Sequence, residues 1–308
     1  MNTKKFKFKK FMYILAPMAG VTDFAFREIC SDFGADMVVT EMISAKALEY
    51  NNARTQKMLK ETSSCIKSIQ LFGHDPKAVA KVVSSGILDN FDIIDFNCGC
   101  PAKKIFGNED GCSMMRDIEK TRKVIQALRD NTSKPISVKF RLGIDDNHIN
   151  YIQFAKMCEE VGVDFITLHA RTREQGYGGE VDKSAYQTLL QNVNIPVIWS
   201  GDIKTRMDVK YARDIGCAGV MIGREALGNP EIFARLKRKK FNISKQQIVL
   251  KHLNNIREYF GSDDATFSYF KKHLLWYLKN YNNATELKRQ VCNMNNLDEM
   301  YDFIKNNI

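Results

Sequence analysis

Residues 92–104, DIIDFNCGCPAKK, decide how this chain is read. The first half is a short apolar run with the β-branched pair Ile93 and Ile94, the composition of a buried strand. The second half cannot continue that strand, because Gly99 is conformationally permissive and Pro101 has no amide to donate. The strand therefore delivers Asn97 and Cys100 to its own C-terminal mouth, where ligands bind in α/β proteins. A thiol, a side-chain amide and the cations Lys103 and Lys104 gathered there make a candidate reactive site. A loop with an incidental cysteine, acting as a small hydrophobe, is the plainer alternative.

Outward from this strand the same unit repeats in both directions. Strands are predicted at residues 13–16, 37–40, 66–71, 136–140, 165–169, 197–200 and 220–222. Helical patterns follow them. Thr22 or Asp23 caps one that stops at Gly34; another covers 45–59; Pro76 opens the next; then come 118–130, 149–161, 183–191, a helix capped near Thr205 and ended by Gly216, and one opened by Pro230. Eight βα units in about 225 residues predict an α/β chain closed into a (β/α)8 TIM barrel, with an open doubly wound sheet as the alternative. After Arg235 the pattern changes. Lys237 to Lys240 read as a linker, and from Ser244 onward there are helical spacings without a strand run. Ile248, Leu250, Leu253, Ile256 and Phe260 form one face, and Phe267, Phe270, Leu274, Leu275 and Leu278 another. The expected organisation is a basic segment (1–10), a barrel (11–240) and a small C-terminal all-helical domain (241–308).

With 308 residues, 44% of them hydrophobic, the chain can bury a large core. The cysteines at 30, 65, 98, 100, 112, 158, 217 and 292 follow neither a disulfide framework nor a zinc spacing, so reduced thiols and no metal site are expected. Lys4, Lys5, Lys7, Lys9 and Lys10 ahead of an apolar run imitate a secretory signal, but Pro17, Thr22 and Asp23 fit a strand running into a helix cap. No segment approaches the roughly 20 apolar residues of a membrane span, so a cytoplasmic protein is expected. The net charge of +10 is uneven: residues 1–10 carry +5, residues 231–308 carry +6, and the 220 residues between carry −1. A near-neutral body with basic ends suggests an enzyme core with a polyanion-binding attachment; solvated surface lysine is the alternative.

A closed barrel brings the strand ends together whatever separates them in sequence. That ring would hold Pro17, Met18 and Ala19; Gln70; Asn97 and Cys100; Lys139 and Arg141; His169 and Arg171; Gly201 and Asp202; and Gly223 and Arg224. This is too much polarity for a barrel core and suits a pocket. The turns SGDI and IGRE after the last two strands fit the phosphate site this fold often builds there. A phosphate clamp facing Lys139 and His169 would suit a phosphorylated planar cofactor, or a phosphorylated sugar-like substrate.

The motifs APMAGVTD (16–23), SIQLFG (68–73), DFNCGCPAKK (95–104), SVKFRLG (137–143), LHART (168–172), SGDI (200–203), MIGREALGNPEIF (221–233) and FKKHLLWYLK (270–279) occur in that order. In them the chain resembles the tRNA-dihydrouridine synthases, the bacterial B-type branch most of all. Cys98, the segment EDGCSMM at 109–115 and Glu231 depart from the B-type pattern, and none of them removes a catalytic group. The resemblance implies an enzyme that binds FMN, takes electrons from NADPH (or NADH) and reduces the C5–C6 double bond of particular uridines in tRNA. It implies Cys100 as the proton donor. Pro17, Met18, Ala19, Gly20, Gln70, Lys139, His169, Ser200, Gly201, Asp202, Gly223 and Arg224 would hold FMN. Asn97, Lys103, Lys104, Arg141, Arg171, Lys271 and Lys272 would face the tRNA, Lys103 and Lys104 pointing to phosphate. Neither a membrane nor a stable protein partner is implied. Two rivals stand beside this reading: a small-molecule flavin reductase of dihydroorotate-dehydrogenase type, which would not need the basic tail, and a non-catalytic RNA-binding barrel, which would not need the cofactor contacts.

Overall fold

The computed structural model describes residues 8–61 and 63–308. Lys4, Lys5 and Lys7 of the expected basic segment lie outside the described residues. The strands are β1 (Met12–Leu15), β2 (Met37–Ser44), β3 (Ile66–Phe72), β4 (Ile93–Cys98), β5 (Ile136–Arg141), β6 (Phe165–His169), β7 (Val197–Ser200) and β8 (Gly219–Ile222). All pair in parallel with their sequence neighbours, and β8 pairs with β1, closing the barrel. Side chains alternate across a strand. Met12, Ile14, Met37, Val39, Ile93, Phe165, Ile198 and Met221 therefore fill the lumen, with Phe8 edge-on to Phe165 at a centroid distance of 5.0 Å. Tyr13, Leu15, Val38, Ile94, Phe96 and Val138 face the surrounding helices.

Local sequence explains most helix boundaries. Asp23, Asp75, Asp117 and Asp182 each accept a backbone N–H from the first turn they cap, and Thr205 forms a capping box with Asp208. One expected helix is interrupted. Residues 45–59 form two short helices, Ala45–Glu49 and Ala53–Lys57, because Asn51 adopts a left-handed conformation (φ 53°) and Asn52 caps the second through Thr55 N. Similarly, the helix expected at Pro230 begins at Ile232. Strand β2 runs four residues past its expected end, with a register irregularity between Val39 and Met42.

The tail consists of helices Lys245–Phe260, Asp263–Tyr277, Ala284–Asn293 and Leu297–Asn307. Its buried side chains join the same apolar core as the barrel's outer helices. The expected tail faces need correction: Phe260 is 36% exposed, whereas His252 and His273 are buried in the seam. The physical reason is Asp23, whose carboxylate lies at that seam and accepts a hydrogen bond from His273 Nε2 at 3.0 Å. His252 Nδ1 pairs with the Tyr277 hydroxyl at 3.0 Å. Further fastenings are Lys251 to Asp32 (2.6 Å), Asn255 to Glu28 (3.0 Å) and Lys237 to Asp36 (2.7 Å). Lys237 is thus an anchor as well as part of the linker. No helix among the described residues is long and apolar enough to cross a membrane.

Candidate active site

The C-terminal mouth of the barrel gathers the groups that the strand order dictates. Gln70, Asp95 and Ser137 are register partners on β3, β4 and β5, so their side chains share one layer. Asn97 and Lys139 are partners in the layer above. Asp95 accepts from Gln70 Nε2 at 2.6 Å and from Ser137 Oγ at 2.5 Å, while Asn97 Nδ2 donates to Gln70 Oε1 at 2.8 Å. The other end of the Asn97 amide, Oδ1, accepts from Gly99 N (3.2 Å) and Cys100 N (2.9 Å) and shapes the turn that carries the thiol. Gly111 closes that turn from below: it sits at φ 61°, and a Cβ there would lie 2.9 Å from Cys100 Cβ. The segment at 109–115 is therefore a close support for the Cys100 loop. Cys100 is half-buried; Cys98 is fully buried, and burial, then Cys158 and Cys112, push its thiol well above the usual range.

Beside the Cys100 loop, on the next two strands, lies a cationic wall. Burial, with the charge of Arg141 adding to it, pushes the Lys139 ammonium down to about 8. Among the described residues it has no hydrogen-bond partner, and its side chain is half-buried. His169 is held well below its ordinary value by burial first and then by Lys139, Arg141, Arg171 and Arg224, so its imidazole is neutral at pH 7. Arg171 Nη1 lies 3.1 Å from His169 Nε2. A guanidinium only donates, so Nε2 is the acceptor and Nδ1 carries the proton.

Arg171 also donates to Gly178 O (2.9 Å), Gly179 O (2.6 Å) and Asp202 Oδ2 (2.5 Å), and Arg224 reaches Asp202 Oδ1 at 3.0 Å. Burial opposes the charge of Asp202, but these arginines hold its carboxyl below the usual range. At this corner the backbone is special: Asp202 has φ 51°, and Gly201 has φ 112°, with an added Cβ 2.7 Å from His169 Cδ2. The loop after β1 completes the rim, with Met18 N bonded to Thr22 Oγ1 and Gly20 N to the Glu41 carboxylate.

The residues expected to face a substrate divide into distinct groups. Lys103 and Lys104 are exposed on the short helix Lys103–Gly107 beside Cys100. Arg141 is buried and donates to Gly99 O (2.8 Å), Thr172 O (3.0 Å) and Gly176 O (2.8 Å), tying the Cys100 loop to the loop after β6. Lys271 donates to Cys292 O (2.8 Å) and Met294 O (3.2 Å) within the tail, and Lys272 Nζ lies 3.5 Å above the Tyr269 ring. Two residues of the site escaped the sequence reading. Asp95 has the same strand parity as Asn97, a signal that was available. Tyr177, 58% exposed, has its ring 4.9 Å from the Arg224 guanidinium and 6.1 Å from the His169 ring, a placement set by loop geometry alone.

The residues present fit a phosphorylated, electron-accepting ring. An ammonium with no hydrogen-bond partner among the described residues and a neutral imidazole stand at the C-terminal ends of β5 and β6, and the turns after β7 and β8 add backbone with Arg224 at the rim.

Comparison with known proteins gives this mouth its context. The family model described as Dihydrouridine synthase (Dus) matches residues 14–308. The tRNA-dihydrouridine synthase B of Vibrio vulnificus (strain CMCP6) is 34% identical over 287 residues, covering 90% of this chain and 89% of the relative. A probable tRNA-dihydrouridine synthase of Rickettsia conorii (strain ATCC VR-613 / Malish 7) is 35% identical over 297 residues, covering 92% and 88%. Among solved structures, the old yellow enzyme homologue from Zymomonas mobilis superposes with a TM-score of 0.51 at 12% identity, covering 77% of this chain and 90% of that one. Morphinone reductase superposes with a TM-score of 0.54 at 10% identity, covering 75% and 87%. At those identities the likeness is one of fold. The sequence relatives and the family model go further, and the chain is an enzyme of the dihydrouridine synthase family.

Proposed function

We propose that this enzyme is an FMN-dependent tRNA-dihydrouridine synthase that uses NADPH to reduce the C5–C6 double bond of specific uridines in cytoplasmic tRNA. The observation that supports the reading is the juxtaposition, at the ends of neighbouring strands, of the Lys139 ammonium, without a hydrogen-bond partner among the described residues, and the half-buried Cys100 thiol. When bound there, FMN would supply the hydride for C6 of the uracil. Lys139 and the His169 Nδ1–H would offer donors to the ring, while the backbone N–H groups of Gly201, Asp202 and Gly223 and the Arg224 guanidinium would hold the phosphate. Met18 to Gly20 line the near rim, and Gln70, with both ends of its amide engaged by Asp95 and Asn97, supports the pocket from the layer below.

Cys100 supplies the proton to C5. A thiol there has a proton to give to a carbanion-like centre. The exposed Lys103 and Lys104 meet RNA phosphate. Arg141 and Arg171 contribute by fixing the loops around the base, and Asn97 has one amide hydrogen left for a uracil carbonyl. The target uridine must leave the tRNA stack to reach the mouth, at about a few kcal/mol. Phosphate contacts from the helical segment 241–308 offset that cost.

The test is the visible absorption spectrum of the purified protein under anaerobic conditions, before and after NADPH, followed by bulk tRNA. The expected result is a flavin spectrum that bleaches with NADPH and returns faster when tRNA is added. A colourless protein unable to take up FMN would overturn the cofactor assignment.

A further inference from the structure

We propose that Asp95 is a positioning residue for Cys100, acting through the Gln70 and Asn97 amides. This rests on Cys100 being the proton donor.

Asp95 is 2% exposed and lies below the mouth, with no route to substrate. Its two oxygens accept from Ser137 Oγ and Gln70 Nε2 at 2.5 and 2.6 Å. A primary amide has a donating end and an accepting end, so each link fixes the next. With Nε2 turned to Asp95, Gln70 offers Oε1 to Asn97 Nδ2 at 2.8 Å. With Nδ2 so engaged, Asn97 offers Oδ1 to the Gly99 and Cys100 amides at 3.2 and 2.9 Å.

A flipped Gln70 would set its NH2 against the Asn97 NH2. Asn97 would then turn its own NH2 toward two backbone N–H groups, and the Cys100 turn would open. Gln70 is held in place from behind, since its backbone N donates to Thr40 Oγ1 at 3.0 Å, so the side-chain flip is the freedom left for Asp95 to remove. Buried networks of this kind specify one arrangement because every alternative leaves donors facing donors.

The test uses the flavin-loaded full chain with Asp95→Ala, Asp95→Leu and Asp95→Asn. Alanine and leucine remove the acceptor, leucine while filling the space, so one of them serves if the other does not fold. Asparagine keeps an oxygen for Gln70 when its NH2 donates to Ser137 Oγ. Three quantities are measured: flavin content with its reduction by NADPH, single-turnover reoxidation by tRNA, and peptide-resolved alkylation of Cys100 by iodoacetamide.

The expected result for Asp95→Ala or Asp95→Leu is reoxidation by tRNA slowed roughly tenfold or more and a Cys100 alkylation rate altered about threefold. Flavin content and NADPH reduction stay within about twofold of wild type, and Asp95→Asn recovers most of the loss. Wild-type reoxidation with unchanged alkylation in the alanine or leucine variant would overturn the proposal. So would a uniform loss of flavin and of both half-reactions without a change specific to Cys100. If wild-type enzyme does not reduce tRNA at all, the reaction assignment fails, and the alkylation comparison still decides whether Asp95 sets the Cys100 loop.

Discussion

At the residue scale, the chemistry rests on two groups whose surroundings treat them differently. Replacing Cys100 by alanine removes the acid while leaving the Asn97 bonds to backbone amides intact. The expected outcome is normal flavin content and NADPH reduction with uridine reduction lowered about 100-fold or more, checked by dihydrouridine content after incubation with unmodified tRNA. Lys139 is a cation whose charge is costly to bury. Burial brings its pKa to about 8, so the ammonium present at pH 7 is lost as pH rises through that value. A charged hydrogen bond of about 1.5–3 kcal/mol predicts that FMN binds the apoprotein roughly ten- to a hundredfold more weakly above that pH than below it. Fluorescence titration of FMN checks this, and Lys139→Met should bind weakly at every pH without the step.

At the element scale, the loops after β6 and β7 form one corner, held by Asp202 between Arg171 and Arg224. Gly201 makes that corner possible. With φ 112° and only 2.7 Å from its Cβ position to both His169 Cδ2 and Val181 Cγ1, it admits no side chain without moving one of them. Gly201→Ala is expected to cost about 1–3 kcal/mol, read as a lower denaturation midpoint, and to displace His169. Flavin content should fall with it, and a variant of wild-type stability and colour would show that this corner does not hold the cofactor.

At the scale of the whole molecule, barrel and tail meet over an apolar seam with the Asp23–His273 bond inside it. Gly228 lies at a close approach of the two: a Cβ there would fall 2.3 Å from the Trp276 backbone carbon and oxygen. Backbone cannot yield as a flexible side chain does, so Gly228→Ala should loosen the tail, seen as faster amide exchange along helix Asp263–Tyr277. The basic linker opens onto a groove lined by Arg206, Arg235, Arg238, Lys239 and Lys240. Reversing the last three to glutamate should weaken tRNA binding and reduce the slope of log affinity against log salt by about 2–3. An unchanged slope from filter-binding titrations would place the RNA on another face.

What the sequence by itself determined is what short-range chemistry controls. β-Branched runs ended by glycine and proline located the strands, Thr22 or Asp23 and Thr205 marked helix starts, and the repeat of the unit implied closure. The ring of mouth residues followed, because a closed parallel barrel carries every strand's C-terminal end to one side. Only the tertiary structure decided what each of those residues does there. Of Arg141 and Arg171, which read as substrate contacts, Arg141 is engaged by backbone carbonyls of loops remote in sequence, and Arg171 by carbonyls of its own loop and by the Asp202 carboxylate after the next strand. His252 and His273 became part of the seam because Asp23 lies opposite, across more than 200 residues of chain. Asp95 acquired partners on β3 and β5 through register alone. Propensity and capping are set by neighbours along the chain, whereas hydrogen-bond partners and electrostatic surroundings are set by neighbours in space.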